Sequence, residues 1–190
     1  MEAPAAPHDH SEQNPHGPSE PAGARRTLEL TVTSPEDMLD LGRRLAGLLR
    51  AGDLVMLTGE LGAGKTTMTR GLGEGLNVRG AVTSPTFVIA RVHPSLGDGP
   101  PLVHVDAYRL GGGLDEMEDL DLDVSLPESV IVVEWGEGKV EDLTEDRLQI
   151  LIARATGDDA SGDADDDVRR LTVTAVGPRW TTADLSPLEA

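Results

Sequence analysis

The sequence has no cysteine, which removes disulfides, thiolate nucleophiles and cysteine-ligated zinc from consideration. Aromatic side chains are nearly as scarce, with one Phe, one Tyr and two Trp in 190 residues. A core must therefore come from Val, Leu, Ile and Ala. A stacking platform for nucleic-acid bases, which needs several exposed rings, is disfavoured. Basic residues are also few: 16 Lys and Arg stand against 34 Asp and Glu, a net charge of −18. Direct grip on a tRNA or DNA backbone uses a basic face that displaces counterions from phosphates, so a solitary nucleic-acid binder is not expected. No run approaches the roughly 18 apolar residues of a membrane-spanning helix. The N-terminal MEAPAAPHDHSEQNPHGPSEPAGARR has no apolar stretch of signal-peptide length. The expectation is a soluble, cytoplasmic chain without a membrane partner.

What is present suits one domain. Residues 1–25 are rich in Pro, Ala, His and Ser without apolar period and read as a disordered tail. His8, His10 and His16 lie in that tail and are not read as a metal site. The folded domain is expected over residues 27–178, followed by a C-terminal tail at 179–190. Within it TGDDASGDADDD, residues 156–167, reads as an acidic surface loop. Its Asp spacing does not match a calcium-binding EF-hand loop.

The domain itself alternates strand and helix signals. TLELTVT alternates and predicts an edge strand. Ser34 then reads as an N-cap, with Pro35 at the first helical position and Asp37 three residues after the cap. Met38, Leu41, Leu45 and Leu48 follow at helical spacing, and Gly52 is expected to end the helix. DLVMLTG is nearly all apolar, the pattern of a buried central strand. Further strands are expected at TFVIARVH, PLVHVDAYR, VIVVEW, DRLQILIAR and RRLTVTAV, with a short helix at LDEMEDL. The hairpin-like pairs in the second half imply a mixed sheet. With GELGAGKT, residues 59–66, between a buried strand and a helix, the fold expected is α/β, a P-loop NTPase-like three-layer sandwich with a mixed central β-sheet flanked by helices.

Gly59, Gly64, Lys65 and Thr66 satisfy G-x-x-x-x-G-K-[ST], and the string sits where it must, between a buried strand and a helix. Gly62 and Gly64 can take backbone angles closed to other residues, turning successive N–H groups, that of Ala63 included, toward one anion. The helix N-terminus adds partial positive charge. Lys65 should reach the β- and γ-phosphates of a nucleotide, the Thr66 hydroxyl should ligate Mg²⁺, and Thr67 should meet the α-phosphate. No N-K-x-D guanine motif is present, and no close arginine pair sits in an obvious lid of the kind a small-molecule kinase uses. An ATPase is favoured over a kinase or a GTPase.

Such a site needs a carboxylate at the end of a neighbouring strand to hold the metal, directly or through water. Glu134, which follows the four apolar residues of VIVV in VIVVEW, fills that role. Asp106 is the second candidate, to orient the attacking water or complete the metal shell. Strand alternation would put His104, Asp106 and Tyr108 on one face. Asp106 could instead merely pair with Arg109, and His104 reads as a packing residue before a catalyst.

GELGAGKTTMTRGLGEGL, TSPTFVI, HVDAYRL and VVEWGE occur in this order between about Thr33 and Glu137. Together they resemble the TsaE (YjeE) family of small bacterial P-loop ATPases. The resemblance implies a Mg-dependent ATPase required for N6-threonylcarbamoyladenosine at position 37 of tRNAs reading ANN codons, acting with a TsaD–TsaB complex. It also implies that Lys65 and Thr66 serve phosphate and magnesium, that Glu134 is the metal-side carboxylate and that Asp106 is essential for turnover. Arg169 falls near a nucleotide contact of the family. Ser84 and Thr86 lie where a switch-like loop would sense the γ-phosphate, and Tyr108, Arg109 and Trp135 join them as candidate switch residues. A nucleotide-gated binding module and a small-molecule P-loop kinase remain the alternatives.

Overall fold

The computed structural model describes residues 24–83, 89–109, 119–154 and 167–190. Seven strands form one sheet in the order β1-β7-β6-β2-β5-β4-β3. They are β1 (Arg25–Val32), β2 (Leu54–Gly59), β3 (Ala90–His93), β4 (Leu102–Asp106), β5 (Val130–Glu134), β6 (Arg147–Arg154) and β7 (Arg169–Val176). The central strands β6, β2, β5 and β4 run parallel. Antiparallel pairs extend both flanks: β7 pairs with β6 and β1 with β7 on one side, and β3 pairs with β4 on the other. The mixed sheet, the edge position of β1 and the buried central position of β2 agree with the sequence reading.

Helix α1 (Pro35–Ala46) begins as its sequence dictates. The Ser34 hydroxyl accepts the Asp37 N–H at 3.1 Å, and the Asp37 carboxylate accepts the Thr33 N–H and hydroxyl at 3.0 and 2.7 Å. It ends earlier than expected, however, at Ala46 and not at Gly52. From Gly47 the backbone tightens into i→i+3 bonds, with the N–H groups of Gly47, Leu48 and Leu49 donating to the carbonyls of Arg44, Leu45 and Ala46. Apolar spacing cannot separate such turns from a continued α-helix. Gly52, with φ +94°, serves instead the turn into β2.

Helix α2 (Lys65–Gly75) contains Gly71, Gly73 and Gly75, a composition that costs about 1 kcal/mol per glycine against alanine in an isolated helix. Packing supplies the reason. A Cβ on Gly42 would collide with the Met68 carbonyl, one on Gly71 with the Leu39 carbonyl, and one on Gly75 with the Ala46 side chain. The bare backbones let α1 and α2 lie against each other and fix the start of α2 beneath the sheet's carboxyl edge.

These two helices cover one face of the sheet over Val55, Leu57, Val132, Leu148, Ile150, Leu171 and Val173. Residues 179–190, expected as a tail beyond the domain, belong to the same core. Helical turns at Pro178–Thr181 and Ser186–Glu189 bury Trp180, Leu185 and Leu188 among those residues. Arg179 ties this segment down, donating to the Leu48 carbonyl at 2.8 Å and to the Asp53 carboxylate at 3.1 Å. Three apolar side chains spread over a short polar stretch make no readable period, yet they pack. Likewise β1 starts at Arg25, paired with Val176, two residues before the expected boundary.

The other face is covered more thinly. Ala107, Leu122, Leu126 and Val140 pack over β2, β5 and β4. Beyond them Gln149, Leu151, Thr172 and Thr174 line an open groove of about 390 Å³. The expected short helix at 114–120 lies largely outside the described residues, as do residues 1–23 of the expected tail and all of the acidic loop except Asp167. Among the described residues no helix is long and apolar enough to cross a membrane.

Candidate functional site

The carboxyl ends of β2, β5 and β4 meet at one edge. In parallel register Leu57 stands beside Glu134 and Glu134 beside Asp106. From that edge the chain turns through Gly62 and Gly64, at φ +76° and +112°, a region open to glycine at little cost. Gly64 caps α2 without any side-chain bond, and no acidic residue sits in the first turn. The first N–H groups of the helix are thus left for an external anion, with the helix dipole behind them.

Lys65 is 5% exposed. Its ammonium donates to the Gly59 and Glu60 carbonyls at 2.7 and 2.9 Å and lies 3.9 Å from the centre of the Trp135 ring. Burial pushes the amine below its ordinary pKa, opposed by the charges of Glu134 and Asp106. The carbonyl partners are weak competitors for a cation when phosphate oxygens are offered.

Thr66 donates its hydroxyl to Glu134, 3.1 Å from Oε1 and 3.3 Å from Oε2. Glu134 and Asp106 are 4% and 8% exposed. With Lys65, Thr66, Thr67, Tyr108 and Trp135 they line a cleft of about 340 Å³. Among the described residues no three His, Asp or Glu side chains gather closely enough to hold a metal alone. One hydroxyl and one or two carboxylates make a hard oxygen set that suits Mg²⁺ shared with phosphate oxygens. The residues therefore fit the implied cation, with Thr66 and Glu134 to hold it and Asp106 within the same cleft.

Tyr108 departs from the sequence expectation. The strand stops at Asp106, whose Oδ1 accepts the Tyr108 N–H at 3.1 Å, and Ala107–Arg109 turns as a 3₁₀ segment. A short carboxylate bonding the backbone two residues on competes with the ladder, so Tyr108 does not continue the face of His104 and Asp106. Its ring, 66% exposed, lies 5.2 Å from that of Trp135. Trp135 is left-handed, φ +63°, a strained choice for a bulky residue that costs about 1–3 kcal/mol. Its N–H is anchored on the Leu57 carbonyl at 3.0 Å, and the turn puts the indole over Lys65. Ser84, Thr86 and the side chain of Arg109 lie outside what is described.

Arg169 does approach the phosphate loop. A cavity of about 90 Å³ is lined by Arg169 together with Ser34, Met38, Gly62, Ala63 and Thr67. Two residues that the sequence reading did not place at the site also come to it. Arg154, last in β6 and opposite Arg169 in register, donates to the Leu61 carbonyl at 3.5 Å. His104, read first as packing, has its Nε2 2.9 Å from Glu134 Oε1. The signal for His104 was its spacing, two residues before Asp106 on the same strand. No local signal marked Arg154.

Residues 32–161 match the family model for threonylcarbamoyl adenosine biosynthesis protein TsaE. A Streptomyces coelicolor protein described as tRNA threonylcarbamoyladenosine biosynthesis protein TsaE is 80% identical over 151 residues, covering 80% of this chain and 99% of that one. A Bacillus subtilis protein of the same description is 40% identical over 157 residues, covering 82% and 90%. The crystal structure of YdiB from Bacillus subtilis superposes with a TM-score of 0.63 at 34% identity, covering 84% of this chain and 93% of that one.

Proposed function

The chain belongs to the TsaE family of threonylcarbamoyl adenosine biosynthesis proteins, and from that premise we propose that it is a Mg-dependent ATPase required for N6-threonylcarbamoyladenosine at position 37 of tRNAs reading ANN codons, acting with a TsaD–TsaB complex. The observation that carries the ATPase reading is the convergence of Lys65, Thr66, Glu134 and Asp106 on one cleft at the mouth of a phosphate loop.

In this reading the N–H groups of Gly62, Ala63, Gly64 and Thr66 cradle the β-phosphate, and Lys65 exchanges its loop carbonyls for β- and γ-oxygens. Thr67 and Arg169 face the α-phosphate side. Asp106 orients the attacking water, whose oxygen bonds the γ-phosphorus as the bond to the ADP oxygen breaks; one of its protons stays on the inorganic phosphate and the other passes to solvent. Thr66 and Glu134 would hold Mg²⁺, which would supply neutralisation of the charge developing on the phosphate oxygens. Trp135 excludes water from Lys65 on the side away from the loop. Hydrolysis resets the partner enzyme between turnovers. The net charge of −18 disfavours a direct grip on tRNA, so tRNA is met through the partner.

Depleting the protein in the cell is expected to remove the modified base from ANN-decoding tRNAs, read by nucleoside mass spectrometry. Reconstitution with TsaD–TsaB should support repeated modification with ATP and stall with a non-hydrolysable analogue. Undiminished modification after depletion would refute the pathway. Equal support from the analogue would make the protein a nucleotide-gated module.

A further inference from the structure

We propose that His104 is the positioning residue of Glu134: its Nε2–H holds Oε1 of the carboxylate and leaves Oε2 as the oxygen available to the cation. The kinetic consequence rests on the ATPase reading; the bond itself does not.

His104 is completely buried, and among the described residues its ring has one polar partner, Glu134, at 2.9 Å. Parallel pairing of β4 with β5 sets His104 opposite Val132, one same-face step before the pair Asp106 and Glu134. The contact is thus imposed by register. A bond in which the Glu134 oxygen is the acceptor requires the tautomer that carries its proton on Nε2. The other nitrogen, Nδ1, is buried with no hydrogen-bond partner among the described residues. An unsatisfied buried polar atom is a cost, and an apolar side chain of similar size would fill the space between strands without it. Packing alone therefore does not account for an imidazole here, whereas a donor to Glu134 does.

The need for that donor follows from the other partner. In this structure the Thr66 hydroxyl also donates to Glu134, and in the proposed reading this same hydroxyl would turn to the cation on nucleotide loading. Glu134 then loses one of its two side-chain donors. His104, fixed in the sheet, remains to keep the carboxylate in place.

Imidazole ¹⁵N spectra of the full chain without nucleotide test the bond directly. A His104 ring protonated at Nε2, whose signals shift in Glu134→Ala, is expected. The Nδ1–H tautomer, or signals indifferent to Glu134→Ala, would overturn the proposal. A pair of variants tests the role: His104→Gln keeps a donor near the position of Nε2, and His104→Phe keeps volume without one. In EDTA, calorimetry should find both binding ATP within about threefold of the parent. His104→Phe should need about 10- to 100-fold more Mg²⁺ to reach the metal-dependent affinity, with turnover reduced by a similar factor. His104→Gln should recover most of this. Equal losses in both variants, or an unchanged Mg²⁺ requirement in the Phe variant, would reduce His104 to packing. If the parent binds Mg·ATP but never hydrolyses it, the ATPase reading falls while the spectra and the Mg²⁺ titration still decide the positioning role. Should the Phe variant not fold, the spectra decide alone.

Discussion

On one side of β2 the strands β5 and β4 run parallel to it and end together, so Glu134 and Asp106 stand side by side at the carboxyl edge. On the other side β6 is parallel but β7 returns, so Arg154, last of β6, faces Arg169, first of β7. Both halves deliver charge to the same phosphate loop by different routes. The acidic half needs crossover connections and buries its carboxylates, each held by more than strand geometry: Glu134 by Thr66 and His104, Asp106 by the Tyr108 N–H. The basic half comes from one antiparallel pair and stays nearer to solvent, with Arg154 exposed and Arg169 half-buried. Buried, well-held carboxylates suit chemistry, where small displacements are costly. Half-exposed arginines suit holding a ligand that must come and go.

Substitutions at each half sharpen the contrast. Lys65 stands between them, so Lys65→Ala should damage both functions at once. Calorimetry is expected to show ATP affinity lower by about 100-fold, at the upper end for a charged hydrogen bond, with turnover lost and thermal stability kept. Unchanged affinity in a folded variant would contradict the phosphate-loop assignment.

On the acidic half, Glu134→Gln and Asp106→Asn should separate binding from turnover. Steady-state phosphate release should fall by about 10²- to 10³-fold, while affinity for ATP in EDTA stays within about threefold of the parent. Normal turnover in both would place the catalytic carboxylates elsewhere and dissolve the distinction.

On the basic half the signs reverse. Arg169→Ala should raise KM for ATP by about 10-fold, the loss of one half-buried charged contact, and leave kcat at saturation nearly unaltered. A large fall in kcat with KM unchanged would move Arg169 to the chemical side of the site.

How legible this was depended on how many residues each feature spans. Gly59 to Thr67 was readable because a phosphate loop is one contiguous string between a strand and a helix. Glu134 was readable because an acid after four apolar strand residues marks a strand end. Tyr108 was misplaced by the same alternation rule that placed Asp106, since the Asp106 carboxylate breaks the strand it was assumed to continue. The apolar positions of α1 persist past Ala46 although the hydrogen-bond pattern changes there. Trp180, Leu185 and Leu188 gave no period and were assigned to a tail, yet they close the core under α1.

By itself the sequence determined the phosphate loop, the Ser34 cap, the buried central strand and the chemical types at the strand ends. Each of these depends on backbone preferences and hydrogen bonds within a few neighbouring residues. The tertiary structure alone decided that His104 meets Glu134, that Arg154 reaches Leu61 beside Arg169, that Trp135 takes a left-handed turn over Lys65, and that the C-terminal segment is core. Those outcomes follow from strand register and from burial against partners 30 to more than 100 positions away. No short window of sequence carries the free energy of such contacts, because it appears only when the distant surfaces are packed together.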